Sequence, residues 1–173
     1  MFSLLTKTHA CVIVRLKDVI ALNIGFREDM THEFKSDRKK LADQEIIDAV
    51  VAFANTDGGD LYLGVEDDGE ITGLHKEHSD ITRLAAFIAN KTVPPVPARC
   101  EILDLEKPIL KISVPRRTSI TASSSGKMQR RRLKADGTPE NVPMYPYEIA
   151  GRLSDLSLFD YSAQPVPDGD YQD

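Results

Sequence analysis

The stretch from Gln44 to Asn55 limits the possible folds most. Ile46, Val50 and Phe53 recur at helical spacing, and Ile47, Val51 and Ala54 fill the positions beside them. A helix apolar over that much of its circumference has to be buried against a sheet. The next residues supply a strand. Thr56-Asp57-Gly58-Gly59 ends the helix, and Leu61, Leu63 and Val65 then alternate with Tyr62 and Gly64, the pattern of a half-buried strand. One glycine is expected to cap the last helical turn, and the other to let the chain reverse at once. Asp67-Asp68-Gly69 marks a turn, with Glu70 to Gly73 returning as the second arm of a hairpin.

The other elements fit around this pair. Thr31 to Ser36 reads as a short strand, and Asp37 is placed to cap the helix after it. Asp80 or Ser79 caps a second helix, Ile81 to Asn90, with Ile81, Leu84, Ala85 and Ile88 as its stripe. The prolines of VPPVP (93–97) force extended chain. Arg99–Leu105 and Ile109–Pro115 predict two strands, Ser119–Gly126 a loop, and Met128–Lys134 a further strand. Pro146 suits the first turn of a last helix, Tyr147 to Leu156. Hairpins dominate the mixture, so the expected fold is α+β, with a mixed, mostly antiparallel sheet and packed helices.

At 173 residues the chain suits one domain. We place an N-terminal extension at 1–26, the domain at 27–158 and a flexible tail or linker at 159–173. In the extension, HACVIVRL suits a strand and LKDVIALNI a short helix. No apolar run approaches the roughly 20 residues of a membrane span. Cys11 and Cys100 are far apart in apolar or alternating runs, which reads as two free thiols in a reducing, cytoplasmic setting.

Charge is unevenly distributed. The net charge is −5, yet Lys107 to Ala135 holds nine Lys and Arg and no acid. Segregation of this kind can attract a polyanion to an otherwise acidic protein. Several familiar chemistries are missing. The paired glycines follow a helix and lead into a strand, the reverse of a dinucleotide-binding turn, and no GxxxxGK[ST] or GxSxG occurs. His75 and His78 are too few for zinc and read as an exposed loop. Tyr145 and Tyr147 are read as core or edge aromatics ahead of a base-stacking role. Acids gather before the first strand (Glu28, Asp29), on it (Glu33), and around the later turn (Glu66, Asp67, Asp68, Glu70). If two or three of these carboxylates converged, they could hold a divalent metal.

The order of the pieces resembles the Schlafen AlbA-like domain. The resemblance rests on EFK at Glu33–Lys35, AFANTDGG at 52–59, LYLGVEDDGEITG at 61–73, the VPPVP break, Val114-Pro115, Arg130–Arg132, and Tyr145-Pro146-Tyr147-Glu148 leading a helix. It spans Arg27 to Leu153. It implies a DNA-binding or, more broadly, nucleic-acid-binding domain of a bacterial transcriptional regulator. The basic segment (Arg116, Arg117, Lys127, Arg130, Arg131, Arg132, Lys134), with Lys35, would meet phosphates. Some animal members cleave structured RNA with three acids. Transferred by position, these are Glu28, Glu33 and Asp67, which would bind Mg²⁺ or Mn²⁺. Those nucleases use a doubled core, so a single copy implies a homodimer. The alternatives to nucleic-acid binding are therefore a metal-dependent ribonuclease and a protein-interaction or dimerisation module.

Overall fold

The chain is described by a computed structural model covering residues 28–158 and 160. The expected extension, the tail and Cys11 lie outside these described residues. Within them, eight strands and three α-helices run in this order: β1 (His32–Lys35), α1 (Asp43–Ala54), β2 (Gly58–Leu63), α2 (Ile81–Asn90), β3 (Thr92–Val93), β4 (Arg99–Asp104), β5 (Pro108–Pro115), β6 (Ala122–Ser123), β7 (Gln129–Leu133), β8 (Pro139–Pro143) and α3 (Pro146–Asp155).

The main sheet runs β1-β2-β5-β4. Only the β1–β2 pair is parallel, with Glu33 opposite Leu61 and Phe34 opposite Tyr62; β2–β5 and β4–β5 are antiparallel. Two small antiparallel ribbons, β3–β6 and β7–β8, complete the strands. This is the α+β arrangement expected from the sequence.

Strand alternation puts a core on each sheet face. On one side Leu61, Leu63, Leu110, Ile112 and Val114 meet α1 (Ile46, Ile47, Val50, Val51, Phe53) and α2 (Leu84, Ile88). The other face holds a smaller cluster of Phe34, Tyr62, Val65 and Ile109. Every α1 residue from Ala49 to Ala54 is buried, as a helix apolar nearly all round requires. Cys100 is a free thiol packed against the larger core, and burial pushes its pKa up to about 11.

Several local expectations are corrected. The glycines do not cap α1, whose C-terminal cap is Asn55; they already belong to β2. They are needed for close approach. A Cβ on Gly59 would lie 2.5 Å from both the Thr31 carbonyl oxygen and the Phe53 ring, where no side chain fits. The Asp67–Gly69 turn closes only an isolated bridge, Val65 to Ile71, and not a full hairpin. Asp37 does not cap α1, which starts six residues later; it accepts N–H bonds from Leu41 (2.8 Å) and His75 (2.7 Å). The loop 119–126 contains β6, and the basic strand β7 gains an unforeseen partner, β8.

Candidate functional site

Residues two apart on a strand share a face, so β1 turns Glu33 and Lys35 to the same side, with Phe34 on the other. Lys35 Nζ lies 3.1 Å from Glu33 Oε1. Glu28 sits beside this pair, its Oε1 accepting the Phe34 N–H at 2.8 Å. Burial raises the pKa of Glu28, and the nearby Glu33 and Asp67 charges add to that effect, while the Phe34 N–H and Lys35 oppose it. Lys35 is itself penalised by burial, but Glu33, Glu28 and Asp67 outweigh this and raise its pKa. Glu28, Glu33 and Asp67 thus each act electrostatically on Lys35, and Glu33 and Asp67 also act on Glu28.

The buried Glu33 carboxylate is already engaged. Oε2 accepts from Arg131 and from Asn141 Nδ2 at 3.1 Å, while Oε1 faces Lys35 and, at 3.3 Å, the same Asn141 amide. Arg131 is as deeply buried as Glu33. Its guanidinium lies 4.5 Å from the centre of the Phe53 ring and donates to the carbonyls of Asp29 (2.7 Å) and His32 (3.3 Å). Lys35 and Arg131 thus occupy the cationic positions around Glu33. Among the described residues, no group of three or more His, Cys, Asp or Glu is arranged to hold a metal. This arrangement does not fit a Mg²⁺ or Mn²⁺ shared by Glu28, Glu33 and Asp67.

The other basic residues are spread over several elements, and four of them are paired with an acid. Arg116 lies 3.5 Å from Asp57, Lys127 pairs with Asp48 on α1, Arg130 with Glu148 on α3, and Arg132 with Glu140 at 2.7 Å across the β7–β8 ribbon. Arg117 is half-buried, its backbone N–H donating to the Ala54 carbonyl at 3.0 Å. Lys134 is exposed at the ribbon's end. In three of these pairs the cation is the more exposed partner, by fractions of 44 against 20%, 27 against 13% and 51 against 28% for Lys127, Arg130 and Arg132.

Tyr145 and Tyr147 are not core residues. They stand 55% and 72% exposed at the start of α3, their rings parallel within 7° and 6.1 Å apart. The two flank Pro146, so the edge-or-core expectation gives way to a surface pair.

A family model for Schlafen, AlbA_2 matches residues 28–138. The chain belongs to the Schlafen AlbA_2 family. No curated protein matches it. Among solved structures, the DIP2311 protein from Corynebacterium diphtheriae is similar at 21% identity and a TM-score of 0.61, covering 90% of this chain. This Schlafen AlbA_2 chain spans only 34% of that protein's length, and the likeness concerns the fold alone. The N-terminal domain of a RecG-related protein from Nitrosomonas europaea is similar at 22% identity and a TM-score of 0.39, over 57% of this chain and 69% of its own, too distant to carry an argument.

The ANTDGG stretch (54–59) has a role its sequence does not advertise. Asn55 Nδ2 donates to the carbonyls of Thr121 and Gln129, both at 2.8 Å, and its Oδ1 accepts the Thr121 N–H at 2.7 Å. Thr56 Oγ1 accepts the Arg131 N–H at 2.9 Å. The end of α1 thereby anchors the basic strand of this Schlafen AlbA_2 domain. His78, read from sequence as exposed, is buried with its Nδ1 2.9 Å from Asp37 Oδ2. Neither that pair nor Asn141 carries a sequence signal, because their partners lie tens of residues away.

Proposed function

We propose that this chain is a nucleic-acid-binding domain that contacts phosphates through the outward-facing basic groups of β7–β8 and the preceding loop. One observation carries the reading: the Lys127 and Arg132 pairs each turn the cation toward solvent, whereas Arg130 is half-buried in its pair with Glu148. An ion pair this exposed contributes little to stability, so its cation can also serve a phosphate at small cost. Lys134, exposed at the ribbon's end, adds another donor. Arg131 is excluded from this role by its burial against Glu33 and Phe53.

The test is binding of a labelled oligonucleotide, followed by anisotropy over a range of salt. Binding is expected at low salt, with affinity falling steeply as salt rises. Arg132→Ala combined with Lys134→Ala should weaken binding to every sequence. It should also reduce the slope of log affinity against log salt by about 0.7 to 0.9 per lost phosphate contact. Absence of binding to both DNA and RNA at low salt would overturn the reading. So would an unchanged salt slope in the double variant.

A further inference from the structure

We propose that Tyr145 and Tyr147 form a stacking platform for unpaired bases, which makes single-stranded nucleic acid the ligand class of this domain. The inference rests on the nucleic-acid reading above and sharpens it. Large aromatic side chains left this exposed (55% and 72%) add nothing to the core. Pro146 fixes the backbone between them. Glu148 holds the segment from the other side: its Oε2 accepts the Tyr145 N–H at 2.9 Å, and its Oε1 grips Arg130 on β7. The backbone that carries the two parallel rings is therefore tied to the basic ribbon.

Glu140, hydrogen-bonded to Arg132, raises the pKa of its guanidinium, with smaller contributions from Tyr145 and Glu148, and Arg132 and Lys134 are both exposed to solvent. Flat aromatic faces beside outward cations match a single strand, whose bases stack while its phosphates meet the charges. In a duplex both faces of every internal base are covered by neighbouring bases, so only the end pairs leave a face for the rings to meet. Stacking of this kind is sequence-tolerant, because every base has a π-face.

The experiment compares a labelled single strand of about 12 nucleotides, its duplex, and an abasic strand of the same length. Circular dichroism confirms that each variant is folded, as expected for exposed positions. Tyr147→Ala and Tyr145→Ala should each weaken single-strand binding by about 5- to 150-fold, the range for removing one stacked aromatic. Tyr147→Phe should bind as the wild type does, and the abasic strand should bind the wild type as weakly as the intact strand binds the alanine variants. Duplex binding should not change. The platform is overturned if the alanine variants hold the single strand unchanged, or if the wild type does not distinguish the abasic strand. It is also overturned if the tyrosine variants alter sedimentation while strand binding persists, which would assign the pair to contact between copies. In all three cases the basic-residue reading stands. Only a wild type that binds neither strand nor duplex removes both.

Discussion

Replacing Glu33 with Gln tests the centre of this structure. Glu33 and Arg131 are both almost wholly buried, so solvent does not screen their pairing. The substitution preserves shape but leaves the Arg131 guanidinium buried without its carboxylate. Breaking a buried pair from one side generally costs about 3–5 kcal/mol. Arg131 keeps its bonds to Asn141 Oδ1 and to the carbonyls of Asp29 and His32, which points to the lower end, about 3 kcal/mol. With a urea slope of about 2 kcal/mol per molar, the unfolding midpoint should drop by roughly 1.5 M.

A double-mutant cycle isolates the pair. Arg131→Met alone strands Glu33 with Lys35 and Asn141, and should also be costly. The double variant removes both charges and should be markedly more stable than the two single effects predict, with a coupling of at least about 2 kcal/mol. Additivity within about 0.5 kcal/mol would refute the pairing. The result also bears on catalysis. Loss of any activity in a Glu33 variant would reflect lost stability unless folding is checked, so Glu28 and Asp67 are the sounder positions at which to test a nuclease role.

Two further predictions concern stability. Burial opposes ionisation of Asp37, but hydrogen bonds from His78 and the N–H groups of Leu41 and His75 outweigh it and hold the carboxyl below its usual pKa. A carboxyl with a lowered folded pKa contributes stability that is present above its unfolded value, near 4, and lost as pH falls through the folded one. Urea midpoints measured downward from neutral pH should therefore show an acid-side loss that Asp37→Asn flattens, along with a cost of at least about 1.5 kcal/mol at neutral pH. An unchanged acid slope would show that Asp37 is not the titrating group. Gly59→Ala should cost about 2 kcal/mol or more in the same assay, because its Cβ meets the Thr31 carbonyl and the Phe53 ring at once. A variant as stable as the wild type would mean the β1–β2 approach is looser than described.

Much of this protein could be read from local pattern alone. Helical spacing located α1 and α2 to within a residue or two, and alternation located β2 and β5, because each pattern is set by neighbours a few positions apart. The run of motifs was enough to indicate the Schlafen AlbA family, and family membership and the α+β fold both agree with that indication. What local pattern could not settle was the state of each charge. Nine basic residues without an acid in Lys107–Ala135 look like one cationic surface in sequence. In space Asp48, Asp57, Glu33, Glu140 and Glu148 come to meet them, from outside that run and up to 98 residues away. Electrostatic energy depends on distance and burial, so only the tertiary structure decided that Arg131 is a buried strut, that Arg132 and Lys134 face solvent, and that two tyrosines stand exposed at the start of α3.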